Sequence, residues 1–169
     1  MSMLPIQGRA RVFGDDVNTD YIISSSRKKE TIDPQRLREF LLEQLDPTFA
    51  ASVQPGDILV AGSNFGCGSA MEVAVTTVLG AGIRTVIARS FSRTYLRNAM
   101  NNGLLPLVAD TRGIAEGEAL HLREGDGGAI VLRLADGREV ACEPLPPFMR
   151  EMIACGGLIP FLRERGSFS

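Results

Sequence analysis

The chain has 169 residues, 44% of them hydrophobic and 22% charged, with a formal net charge of -2. That length supports a real buried core, and a near-neutral chain without a block of like charges lacks the basic face that nucleic-acid phosphates require. No apolar run approaches the roughly 20 residues that span a bilayer, and the opening MSMLPIQGRARVFGDD lacks the pattern of a signal peptide.

In chain order, residues 7–13 (QGRARVF) alternate as a strand does, and GDDVNTD follows as a turn-rich loop. Tyr21–Ile23 reads as a short strand before the polar run SSSRKKET. Asp33-Pro34 sets an N-cap and an N1 proline before QRLREFLLEQL, which predicts a helix, and Asp46-Pro47 predicts a further short turn of helix. Asp57–Ala61 (DILVA) reads as a buried strand leading into the glycine-rich loop GSNFGCG. Ser69 and Glu72 fit a capping box opening a helix to about Ala81. Thr85–Ala88 is then a strand, Ser92–Asn102 a helix closed by Gly103, and Leu104–Val108 another strand. This alternation implies parallel pairing through crossover helices. After Asp110 the segments Ala119–Leu122, Ala129–Leu134 and Glu139–Cys142 read as short strands between GDGG and ADG turns. From Pro146 the tail reads as one or two helices interrupted by Gly156-Gly157. The expected fold is an α/β core with additional β-strands, residues 1–169 forming one domain without a flexible linker.

Cys67, Cys142 and Cys155 are scattered, and His121 is the only histidine. An odd number of cysteines without a pair motif argues against a disulfide framework and fits a reducing, cytoplasmic setting. It also falls short of the grouped ligands that a zinc or iron–sulfur site needs. Any metal cluster must therefore be held by another chain.

The loop Asn64–Ser69 is where chemistry is expected. Glycines let backbone approach a ligand closely, and a loop that leaves a strand for a helix aims unpaired N–H groups at the crevice beyond the strand. Such a place holds an anion or steadies developing negative charge. Neither GxGxxG nor GxxxxGK[ST] is present, so this is no dinucleotide or P-loop fingerprint. A plain cap at Ser69 and a plain turn at the glycines account for the same residues. Cys67 is a candidate for an activated thiolate, although packing explains it as well.

Three segments in order, GDDVNTDYII, PGDILVAGSNFGCGS and SFSRTYLRNAMNNGLLPL, resemble the small subunit of isopropylmalate isomerases and related homoaconitases, a unit that also forms the mobile domain of single-chain aconitases. The resemblance runs from about Arg9 to Val108. It implies an aconitase-type swivelling β/β/α domain and a partner large subunit carrying a [4Fe–4S] cluster, with no cofactor on this chain. It also implies reversible dehydration of a hydroxy diacid through an alkene. By the same resemblance Ser69 is the base and Asp20 lies near the active site, while Gly66, Cys67 and Gly68 line the substrate.

Where relatives read GSSREH, this chain reads Gly68-Ser69-Ala70-Met71-Glu72-Val73. The arginine that clamps a substrate carboxylate is thus Met71 here, and the histidine is Val73. Methionine cannot make the paired, charge-assisted bonds of a guanidinium. The loop before the first long helix sets specificity in this family, and here it carries Arg27 and Lys28, either of which could supply the missing cation. Arg93 and Arg97, four apart on one helical face, suit a partner surface or packing. The expected substrate is isopropylmalate. A 2-methylmalate/citraconate or other dicarboxylate hydro-lyase is the alternative, with homoaconitate less favoured, and a non-catalytic anion-binding or scaffolding module is the reading from another class. A chain built to meet a large subunit could also self-associate when isolated.

Overall fold

A computed structural model describes residues 3–165. Its seven-stranded sheet has the order β4-β3-β2-β1-β5-β6-β7 and pivots on β1 (Ile6–Val12). Ile6–Arg9 runs antiparallel to β5 (Ala119–Glu124), whereas Ala10–Val12 runs parallel to β2 (Ile58–Ala61). One strand therefore joins a parallel half to an antiparallel half. Gly8 marks the crowding at this junction, since a Cβ there would lie 2.1 Å from the Gly56 carbonyl oxygen.

The parallel half continues through β3 (Thr85–Ala88) to β4 (Leu105–Val108). β2 and β3 are buried at every residue, as expected of parallel strands covered on both faces. Alternation then splits their side chains between two cores, with Leu59 and Ala61 on one side and Ile58 and Val60 on the other. β4 carries Pro106, which costs nothing on an edge strand. In the antiparallel half, β5, β6 (Ile130–Arg133) and β7 (Glu139–Ala141) form a meander whose Leu120, Leu122, Ile130 and Leu132 face the second core.

Several helices depart from the sequence reading. Tyr21–Ile23 is no strand. Thr19–Ile22 forms α1, with the Asn18 side chain accepting from the Asp20 N–H, and the following turn lets Ile22 and Ile23 both enter the core. The run SSSRKKET is helical rather than a loop: Ser24 caps α2 (Ser25–Glu30). Asp33 caps α3 as expected, but α3 spans only Pro34–Leu37 before a 3-10 turn at Arg38–Phe40. Leu42 then adopts φ 56° and donates its N–H to the Ile22 carbonyl at 2.9 Å, so a tertiary bond outweighs helix propensity. α4 (Phe49–Ser52) follows the Asp46-Pro47 turn. The Ser69–Glu72 capping box does not form, because α5 starts at Val73 and runs to Gly80. α6 (Arg93–Asn101) has its expected Ser92 cap and Gly103 close, and α7 (Pro147–Ala154) and α8 (Leu158–Arg165) flank Gly156-Gly157.

A buried charge cluster fastens β1 to the entry of β2. Asp57 accepts from Arg9 at 2.8 Å and from Arg11 at 3.4 Å, and it also caps the Gln54 N–H. Arg11 lies over the Phe49 ring and reaches Ser52 and Glu116. Burial raises the Asp57 carboxyl, but the bonds from Arg9, Gln54 and Arg11 outweigh it and hold the group below its ordinary value. Its contribution is therefore complete above the unfolded carboxylate value of about 4 and lost as pH falls through the lower folded one. Asp57→Asn removes the buried carboxylate that Arg9 and Arg11 share and leaves buried Arg11 with Glu116 alone. It should cost about 3 kcal/mol in urea unfolding at neutral pH, and the gap from wild type should close as pH drops below about 4.

Candidate active site

The parallel strands β1, β2 and β3 end at the same edge, and the loops leaving them are bonded to one another through backbone. The Gly62 and Asp16 N–H groups donate to the Gly14 and Ser63 carbonyls, and the Gly66 N–H donates to Val17. Across the other flank, the Phe65 N–H donates to Ser90 at 3.0 Å and the Ser92 N–H to Phe65 at 2.9 Å. Ser92 also donates its hydroxyl to the Gly66 carbonyl at 2.9 Å. The glycines are required here. A Cβ on Gly66 (φ 81°) would lie 2.3 Å from the Tyr95 ring, and one on Gly68 (φ 97°) would lie 2.6 Å from Asn18 Oδ1. Beneath the loop, Phe65 packs edge-on against Phe91 and Tyr95, and the buried Tyr95 hydroxyl donates to the Ala74 carbonyl.

Thr19 holds the far end of the glycine loop. Its N–H donates to the Cys67 carbonyl at 2.8 Å and its hydroxyl to the Ser69 carbonyl at 3.0 Å. Ser69 lies on the exposed side of the loop. Among the described residues, the N–H groups of Gly68, Ser69, Ala70 and Met71 have no protein acceptor. The open amides expected from the sequence are thus present, but they belong to a stretched loop ahead of α5 rather than to the first turn of a helix. Such a run of N–H groups can receive an anion or steady a serine oxygen carrying negative charge.

Arg27 and Lys28, adjacent on α2, point to different places. Arg27 stacks on Phe40 with 3.8 Å between its guanidinium carbon and the ring centroid, and it bonds Glu43 at 3.1 Å. That guanidinium serves packing between α2 and the 3-10 turn. Lys28 reaches inward, its Nζ 3.3 Å from Asp20 Oδ1 and in contact with Met71 Sδ. Only 13% of its side chain is exposed, against 49% for Asp20. The Ser25 hydroxyl, and then Lys28, holds the Asp20 carboxyl below its ordinary value. The structure therefore groups Ser69, Met71, Lys28 and Asp20 at one edge.

Arg93 and Arg97 stand exposed on α6, and neither makes an ion pair among the described residues. Cys67 is partly covered in the loop, Cys142 is buried in the second core, and Cys155 bonds Glu164 near α8. Among the described residues no group of three or more His, Cys, Asp or Glu side chains is placed to hold a metal. Sequence reasoning overlooked Thr19 and Asn18, whose only local sign was a pair of cap-forming residues just before Asp20.

Thr19→Val keeps the shape and removes the hydroxyl. It should cost about 1 kcal/mol in overall stability, with hydrogen exchange at the bonded Thr19 and Gly66 amides accelerated far more than exchange in β2 or β3.

The family model for the aconitase C-terminal domain matches residues 22–112. The 3-isopropylmalate dehydratase small subunit of Moorella thermoacetica is 42% identical, covering 95% of this chain and 96% of that protein. The methanogen homoaconitase small subunit of Methanocaldococcus jannaschii is 41% identical, covering 95% and 92% respectively. A crystal structure of 3-isopropylmalate dehydratase from the same organism superposes with a TM-score of 0.87 at 38% identity, over 96% of this chain and 95% of that one. The mixed seven-stranded sheet is therefore the aconitase-type swivel fold expected from the sequence. The chain belongs to the aconitase C-terminal domain family, among the small subunits of the 3-isopropylmalate dehydratase type.

Proposed function

We propose that this chain is the small subunit of a two-chain hydro-lyase that interconverts 2-isopropylmalate and 3-isopropylmalate in leucine biosynthesis, in the cytoplasm. Residues 1–169 act as one swivel domain, and activity needs the large subunit. The observation that carries the reading is Ser69, exposed on a loop held through Thr19 and flanked by four open amides. Full-length relatives bearing the dehydratase small-subunit name support it. Met71 in place of arginine favours a second reading, a 2-methylmalate/citraconate hydro-lyase, in which a smaller diacid occupies the same site.

In the dehydration direction, Ser69 Oγ takes the proton from the carbon next to the one bearing the hydroxyl. The amides of Gly68–Met71 stabilise the serine oxygen while it is anionic. Gly66, Cys67 and Gly68 bring loop backbone to the diacid, and the two glycines let that loop fold tightly against Tyr95 and Asn18. For rehydration Ser69 returns the proton to carbon, and the reverse choice of carbon yields the isomer. A [4Fe–4S] cluster on the large subunit supplies Lewis-acid binding of the leaving hydroxyl and of a carboxylate. This chain contributes the base and the cradle. Isolated from its partner, it can pair with itself through the surface that the large subunit covers.

Reconstitution with the cognate large subunit tests the assignment. The complex should hydrate alkene diacids, and Ser69→Ala should lower turnover by about a hundredfold or more without loss of subunit association. Activity unchanged in Ser69→Ala contradicts the base assignment, and a complex with no turnover points to a non-catalytic binding module.

A further inference from the structure

We propose that Lys28 is the cation that receives a substrate carboxylate, performing from α2 the task that relatives give to an arginine at position 71, with Asp20 positioning it. The inference deepens the hydro-lyase reading and rests on it.

Two independent ties place the ammonium at the Ser69 loop. Lys28 Nζ touches Met71, two residues beyond Ser69, and it bonds Asp20, which adjoins the Thr19 that binds the Ser69 carbonyl. Lys28 is also mostly covered, and a covered charge is retained only with a partner. Its one ion partner among the described residues is a half-exposed carboxylate already shared with the Ser25 hydroxyl. An ammonium has three donors, and a thioether is a weak acceptor. Bonding capacity for an incoming carboxylate therefore remains.

The neighbouring cations do not compete for the role. Arg27 is committed to Phe40 and Glu43, Lys29 is exposed on α2, and Arg93 and Arg97 lie outward on α6. Met71 is apolar and flexible where the family resemblance implies an arginine, so it leaves room for the lysine and offers a hydrophobic wall to the substrate's alkyl group. Asp20 holds the ammonium at the loop before substrate arrives. Its carboxylate occupies one donor, and Ser25 orients it.

The test is steady-state hydration of citraconate by the reconstituted two-subunit enzyme. Lys28→Met should raise KM by about tenfold or more while kcat changes by less than about threefold, and Lys28→Arg should stay close to wild type. Adding Met71→Arg to Lys28→Met should recover most of the lost KM, because it restores the cation from the other side. Asp20→Asn should raise KM by less than Lys28→Met does, with kcat retained. Unchanged KM in Lys28→Met, a fall confined to kcat, or no recovery on adding Met71→Arg overturns the relocated clamp. An unchanged KM in Asp20→Asn overturns the positioning role. If Ser69→Ala is inactive in the same assay while Lys28→Met behaves as wild type, the clamp fails and the hydro-lyase reading stands. No turnover of either citraconate or 2-isopropylmalate by the wild-type complex removes both.

Discussion

Thr19 joins two parts of the chain that are fifty residues apart, and the arrangement of the candidate site follows from that tie. Its amide and hydroxyl bond successive turns of the glycine loop, at the Cys67 and Ser69 carbonyls. The N–H groups of Gly68–Met71 have no protein acceptor among the described residues, and Ser69 is exposed on the same stretch. Thr19 itself is buried, so both bonds start from a fixed point in the core and reach outward to the loop. Gly66 and Gly68 permit the close approach. Tyr95 and Asn18 occupy the space their side chains would have needed.

That loop needs a rigid edge, and β1 provides it. By pairing antiparallel in its first half and parallel in its second, it fuses a meander to a crossover sheet and sends its C-terminal end toward Asp15 and Asp16 beside the β2 loop. The Arg9–Asp57–Arg11 group, buried at Asp57 and Arg11, then fixes β1 against the turn that enters β2. The strand that leads to the candidate site is thus fastened by a charge cluster at the entry of β2.

Much of this fold was legible because its strands are short apolar runs bounded by turn residues. ILVA and TVIA read as strands because they are short and β-branched, and the ADG and GDGG turns marked the meander. The site was legible as a set of residues but not as a conformation. Ser69–Glu72 has the letters of a capping box, yet the Thr19 hydroxyl claims the Ser69 carbonyl and the helix begins at Val73. A local pattern worth about 1 kcal/mol yields to a tertiary bond from the buried Thr19 and the packing around it. Likewise the basic run at Arg27-Lys28 was visible, but its division was not. Neighbours on a helix diverge by about 100°, and only the folded position of Phe40 and Met71 decides which cation turns inward.

The central claim is that Ser69 moves the carbon-bound proton. Deuterium wash-in measures this directly: the reconstituted enzyme is incubated with a saturated hydroxy diacid in deuterated water, and label at the carbon is followed by NMR. The account predicts label in the wild-type reaction and a loss of about a hundredfold or more in Ser69→Ala, with the complex still assembled. Incorporation at the wild-type rate in Ser69→Ala would show that another group carries the proton.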